Sequence, residues 1–180
     1  IDSNYIILDG NGHAITGNNA GNGVYFVGKT GITIKNLNVK RFSYGIRLQA
    51  FNNNNTLADN IVSDNDIYGI FLSLSSGNIL TGNIASNNYI GVHITSSSNN
   101  NILTDNIVSN NNSDGIRLQA SSNNIFTGNT VSSNKFYGIL IASSASNNQI
   151  YKNNFINNST QAFILEGYDN VFSLEVPIGG

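Results

Sequence analysis

Apolar runs of three to six residues alternate with clusters of Asn, Asp, Gly and Ser along nearly the whole chain, and the alternation has a fixed period. The stretch from Asn101 to Leu118 shows one unit. It carries an asparagine, a run at Ile102 to Thr104, a second asparagine at Asn106, a run at Ile107 to Ser109, a third at Asn111, then Gly115 and a run from Ile116. The first asparagine recurs at Asn55, Asn78, Asn101, Asn124 and Asn148, and the second at Asn60, Asn83, Asn106, Asn129 and Asn153. A third column runs Asn65, Asn88, Asn111, Asn134, Asn158, and the glycines at Gly23, Gly45, Gly69, Gly91, Gly115 and Gly138 stand 22 to 24 residues apart. A period of this size marks a solenoid of stacked units. Nowhere do apolar residues fall at i, i+3, i+4, i+7 without a Gly or Asn cluster breaking the pattern, so helix is not expected.

Three runs and three bends per unit make one triangular turn. Because successive units are nearly equal in length, each strand lies over its equivalent and pairs in parallel at about 4.8 Å. The predicted fold is all-β, a single-stranded parallel β-helix of about seven coils of 22–24 residues over residues 1–180, read as one domain and as a segment of a longer solenoid or an assembling subunit. Tyr5 to Leu8 opens it as a strand, the turn chemistry of Asp9, Gly10, Asn11 and Gly12 follows, and His13 to Gly17 is the second strand.

Alternation along a strand assigns faces. In the run after Gly115, Ile116, Leu118 and Ala120 point inward and Arg117 and Gln119 outward. The inward stacks read Ile46, Ile70, Val92, Ile116, Ile139 and Leu48, Leu72, Ile94, Leu118, Ile141, with Leu57, Leu80, Leu103, Phe126, Ile150 and Val62, Ala85, Val108, Val131, Phe155 on the other two walls. The outward column of the glycine strand reads Tyr25, Arg47, Phe71, His93, Arg117, Leu140, Ile164. Two further columns, Thr56, Ile79, Ile102, Ile125 and Ile61, Ile84, Ile107, Thr130, fall outside unless a local bulge turns them inward. An exposed isoleucine stripe marks a contact surface.

The chain has 35 asparagines, far above ordinary usage. They belong at the bends, where one side-chain amide bonds the same amide in the coils above and below, and where Asn tolerates a left-handed backbone. The expected ladder is Asn60, Asn83, Asn106, Asn129, Asn153. Regularity decays at the end, where Asn170 keeps its column but Glu175 replaces an asparagine and Pro177, Ile178, Gly179, Gly180 leave the pattern.

Composition narrows the function. Charged residues are 10% of the chain and the net charge is −2, which gives no nucleic-acid footprint. No apolar run reaches the roughly 18 residues of a membrane span, and with no cysteine there is neither a disulfide frame nor a thiolate metal site. The start at Ile1, without initiator Met or signal pattern, marks a processed or partial form. No capping helix is visible, so the coil ends are expected to be covered by segments outside this stretch or by neighbours.

With the repeat laid out, the chain resembles the NosD-type, pectate-lyase-like right-handed β-helices, a family of carbohydrate-binding and sugar-hydrolase repeats on prokaryotic surface proteins. Leu8 to Gly17 resembles the family's first coil, and the Asn-rich units ending in Gly-Ile-x-Leu carry the rest. The resemblance implies right-handedness and an extracellular or cell-surface location. It specifies fold better than function, because the repeats encode the coil.

Several residues carry candidate chemistry. Glycoside hydrolysis needs two carboxyl groups about 5 to 9.5 Å apart. Asp59 and Asp105 share a column two coils apart, but Gly82 and Gly128 alternate with them, which is a turn preference. Asp64, Asp66 and Asp114 read as solvated bend residues. Arg47, Phe71, His93 and Arg117 form a face suited to a sugar or carboxylate through stacking and charged hydrogen bonds. No acid is expected beside them, so this is a binding surface rather than a catalytic one, unless the long side chains simply cover the sheet. Copper is implied by the NosD resemblance alone; it wants Cys, Met or several His, and only His13 and His93 are present, at least three coils apart. No metal or other cofactor is expected. Asn-x-Ser/Thr tripeptides begin at Asn54, Asn111, Asn157 and Asn158.

The sequence therefore reads as a non-catalytic extracellular scaffold of a surface layer, sheath or fibre. It is expected to self-associate through its coil ends or through a lateral face of Ile79, Ile84, Ile102, Ile107 and Ile125, with a glycan as a possible ligand. The rival reading is a polysaccharide lyase, hydrolase-like or glycan-binding domain.

Overall fold

The computed structural model describes residues 1–173. Those residues hold 22 strands and no helix, hence none long and apolar enough to cross a membrane. The strands form three parallel sheets of eight, seven and seven. The first runs from Ile7–Asp9 to Val171–Ser173, the second from Ala14–Thr16 to Asn154–Ile156, and the third from Asn22–Val27 to Thr160–Leu165. Each strand pairs with the third strand on, so every coil gives one strand to each sheet and the chain is a parallel β-helix. Register follows the repeat: Leu57, Leu80, Leu103, Phe126 and Ile150 are successive partners.

The core is a column of stacked aliphatics inside the triangle. The expected inward stacks are buried, except that Phe155 near the end is half-buried. Two assignments change. Ala120 is exposed with φ 45°, a bend residue, and the inward position after it belongs to Ser121. Phe163, not Ile164, is the partner of Leu140 in the outward column, and Ile164 pairs with Ile141.

All three asparagine columns are ladders, buried throughout except at Asn153, which is half-buried. Nδ2 of Asn60 donates to Oδ1 of Asn83 at 2.9 Å, and the file continues through Asn106, Asn129 and Asn153 at 3.0, 2.9 and 2.8 Å. Each Oδ1 also accepts the backbone N–H of the asparagine one coil before it. Most Nδ2 groups donate in addition to a carbonyl on the other side, as Asn83 does to Leu57 and Asn106 to Leu80. Each amide is thus nearly saturated within a dry interior, which explains why asparagine and no other residue repeats there. The left-handed backbone expected of these asparagines lies instead one residue earlier. Asp59, Gly82, Asp105, Gly128 and Lys152 precede the second ladder with φ from 54° to 69°. The bend is turned by the preceding residue, so the ladder asparagine keeps an ordinary backbone.

Glycine before the third strand has a steric cause. A Cβ on Gly91 would strike Val108 Cγ1 and lie 2.7 Å from both Asn111 Nδ2 and the Gly115 carbonyl. The corner closes only where that atom is missing. Asp59 and Asp105 are exposed bend residues, each with Oδ1 lying over the bare Cα of Gly82 or Gly128 in the next coil. Of the glycosylation tripeptides, Asn111 and Asn158 are buried ladder members, while Asn54 and Asn157 are exposed. The isoleucine columns face outward on two adjoining sheets, with Ile61 41%, Ile79 40%, Ile102 36% and Ile107 45% exposed, and Ile84 and Ile125 less so. Glu175, Pro177, Ile178, Gly179 and Gly180 lie outside the described residues.

Candidate functional site

The outer face of the third sheet gathers the side chains with chemistry. Tyr25, Arg47, Phe71, His93, Arg117, Leu140 and Phe163 are register partners on consecutive coils, so Arg47, Phe71, His93 and Arg117 stand in one file. A second column joins them. Asn22, Tyr44 and Tyr68 pair in register one position before the corner glycine, and Asp114 and Tyr137 hold the equivalent position further on. Strict alternation puts Tyr44 on the side of Ile46, that is, inside. The glycine breaks that rule: the Cβ direction at Gly45 points in toward Val62, Ile46 also points in, and the tyrosine is left outside. The recurrent Tyr-Gly-Ile at 44–46, 68–70 and 137–139 is the sequence signal for this column.

The two columns interlock around Arg47. Its Cζ lies 4.4 Å from the Tyr44 ring centroid, 5.4 Å from that of Tyr25 and 5.8 Å from that of Phe71, within cation–π range. Tyr68 and Phe71 stack at 5.1 Å with 10° between planes, and His93 meets both edge-on at 4.8 and 5.5 Å. Tyr44 closes on Tyr68 and Phe71 at 5.4 and 5.6 Å. The result is a continuous patch of rings over four coils with one guanidinium set into it.

The charges at its two ends are treated differently. Arg117 donates from Nε to Asp114 Oδ2 at 2.7 Å, with Nη2 at 2.6 Å. Asp114 is 1% exposed, so it is not a solvated bend residue, and the face does have an adjacent acid, contrary to the sequence expectation. It is fully engaged, however, also facing the Tyr137 N–H at 3.4 Å. Arg47 has no carboxylate partner among the described residues; its Nη1 reaches Asn22 Oδ1 at 3.4 Å and its Nε is buried without a partner.

His93 belongs to the file but is only 5% exposed. Its Nε2 lies 3.1 Å from Gln119 Oε1, and Nδ1 is buried without a partner. Burial under the rings pulls its pKa down to about 4, outweighing the Gln119 hydrogen bond, so the ring is neutral at physiological pH. Burial likewise raises the Tyr68 phenol above its ordinary value.

Concavity lies elsewhere. A depression of about 480 Å³ crosses the bend between the first and second sheets, lined by Asn11, Gly12, Asn36, Asn38, Asp59 and Ile61. It brings together no acid–base pair. A second depression, of about 460 Å³, gathers Arg41, Asp64, Asp66 and Tyr89 among asparagines, with no ion pair between them among the described residues; the rings packed around a guanidinium are on the flat third-sheet face.

No curated protein sequence matches the chain. Among solved structures, it is similar to the Azotobacter vinelandii mannuronan C-5 epimerase AlgE6 A-module, with 20% identity over 79% of this chain and 42% of that one, and a TM-score of 0.71. The periplasmic alginate epimerase AlgG aligns at 18% identity over 96% of this chain and 46% of its own, with a TM-score of 0.66. The Azotobacter vinelandii AlgE4 A-module aligns at 22% identity over 77% and 42%, with a TM-score of 0.61. The chain thus spans less than half the length of each, and identities this low speak for the fold alone.

The sequence profile of the family described as "Periplasmic copper-binding protein (NosD)" matches residues 2–179. The donor set here does not fit copper. There is no cysteine or methionine, His93 is enclosed by rings, and His13 stands beside a strand of the second sheet. Among the described residues no three His, Asp or Glu converge. With the profile match running over essentially its whole length, the chain belongs to the NosD family of β-helix repeat proteins.

Proposed function

We propose that this chain is a non-catalytic extracellular scaffold whose third-sheet face binds a glycan. The observation that carries the proposal is the ring patch of Tyr25, Tyr44, Tyr68 and Phe71 with Arg47 set into it. Flat aromatic faces take up the apolar side of a sugar ring, while a guanidinium and outward amides bind its polar groups. The β-helix repeats at about 4.8 Å, so the patch forms a linear track rather than a closed pocket, as suits a polymer.

A polysaccharide-cleaving activity is the rival. It is disfavoured because Asp114, the carboxylate bonded to the cluster, is buried and held by Arg117, and because His93 has almost no exposed surface. Probing a glycan array with the wild type and with Phe71→Ala, while assaying for shortened chains or new unsaturated ends, tests both. Saturable binding lost in the variant, with no product, is expected. Product formation would replace the scaffold reading by the enzymatic one, and an array with no ligand would remove the glycan.

The same scaffold associates with copies of itself along the exposed isoleucine columns. Adjacent copies share one coil pitch, so side chains from two such faces interleave without mismatch, and the charge on the central coils there is that of Asp59 and Asp105 at the bend between the columns.

A further inference from the structure

We infer that the glycan is anionic and that its negative group is read at Arg47. The inference rests on the glycan-binding reading and adds the substrate class and the subsite. Two guanidinia stand in the same outward file, three coils and so about 14 Å apart. Arg117 is neutralised within the protein by Asp114, which is itself buried. Arg47 has a comparable outward setting but three rings around it in place of a carboxylate. Rings attract a cation without cancelling its charge.

The hydrogen-bonding of Arg47 is also incomplete. The guanidinium has five N–H donors; Nη1 makes one hydrogen bond, at 3.4 Å, and Nε is buried without an acceptor, which leaves the Nη groups to meet a ligand. The low-dielectric ring surface strengthens any charge-assisted bond made there. Tyr25, next in the file and 40% exposed, offers a platform for the ring that carries the anion. The fitting ligand is therefore a sugar with a single planar or tetrahedral anion on its ring, a uronate carboxylate or a sulfate ester. The neutral section over Tyr68, Phe71 and His93 takes the following residues, and the self-neutralised Arg117 end requires no second charge.

Titration calorimetry with matched pairs tests this: oligogalacturonate against its methyl ester, and dextran sulfate against dextran. The wild type is expected to bind a charged member at least about tenfold tighter than its neutral partner, the scale of one charge-assisted hydrogen bond. The pair that shows the preference identifies carboxylate or sulfate. In Arg47→Gln the ratio of charged to neutral affinity falls to about one, whatever happens to the absolute affinities, and in Arg47→Lys, which keeps the charge but not the planar fork, part of the preference survives. Arg41→Gln, which removes an exposed bend arginine, keeps it. Equal binding of charged and neutral ligands by the wild type, survival of the preference in Arg47→Gln, or equal loss in Arg41→Gln would each overturn the inference and leave a glycan-binding face standing. Failure of the wild type to bind any of the four would remove that face as well. Should Arg47→Gln fail to fold, the Arg47→Lys and Arg41→Gln comparison decides.

Discussion

Replacing Asn106 by leucine removes one rung of a buried amide ladder from the middle of the coil stack. Four hydrogen bonds go with it. Asn106 Oδ1 accepts from the Asn83 N–H and Nδ2, both at 3.0 Å, and its Nδ2 donates to the Leu80 carbonyl and Asn129 Oδ1, both at 2.9 Å. At about 1 kcal/mol net per bond the loss is about 4 kcal/mol, and it rises if the buried Asn83 N–H finds no new acceptor. That is a large share of the roughly 5–15 kcal/mol by which a domain is stable. The comparison is Asn110→Ala, at an exposed bend residue with φ 56°, where alanine costs only the left-handed strain of about 1 kcal/mol. Urea unfolding followed by circular dichroism ranks the two. Asn106→Leu should lower the midpoint several times further and also reduce the slope, because a solenoid weakened at one coil unfolds in two blocks. An Asn110→Ala midpoint at or below that of Asn106→Leu would refute the ladder as the main source of stability.

Other predictions rest on separate contacts. His93 has its folded-state pKa held near 4, below the ordinary 6.5, so as pH falls through this window the unfolded chain takes up the proton first. Stability should drop by about 3 kcal/mol between pH 7 and pH 4, and the difference between wild type and His93→Phe melts at these two pH values measures it; equal pH dependence in both would exclude His93 as the cause. Gly91→Ala puts a methyl into Val108 and the Asn111 amide and should cost about 3 kcal/mol in thermal or urea melts; a variant as stable as wild type would show that the corner has slack. Sedimentation equilibrium should show concentration-dependent association that Ile102→Lys and Ile107→Lys abolish, whereas a wild type monomeric at every concentration speaks against the isoleucine columns as a contact surface.

The coil, its three walls and its ladders were legible because the repeat writes each of them several times. Leu57, Leu80 and Leu103 are one position of the fold repeated, and their common identity outweighs local ambiguity. What failed were features that break the two-residue alternation. Alternation alone hides Tyr44 and Tyr68, because the corner glycine lets two successive positions face inward and throws the tyrosine out. Ala120 was assigned inward by counting through a bend where φ turns positive. Phe163 is displaced by one position in the sequence reading because the corner glycine that marks the register is missing from the last coil, where Gln161 stands at its position. The sequence reads Asp114 as a solvated bend residue since nothing local foretells that Arg117, three residues on, covers it. The alternation of Asp with Gly at Asp59, Gly82, Asp105 and Gly128 was correctly a matter of backbone, and the structure supplies the reason: each aspartate needs the bare glycine of the next coil beneath its carboxylate.

The chain contains two histidines, and they report on different places: His93 within the ring patch, and the exposed His13 beside the second sheet. Nitrogen-15 spectra of the imidazoles during titration with an acidic oligosaccharide therefore test the central claim with two signals. Saturable shifts of the His93 nitrogens, with His13 unmoved and the sugar chain intact afterwards, are the predicted result. An unmoved His93 at saturating ligand, or parallel shifts of both histidines, would contradict a binding face on the third sheet.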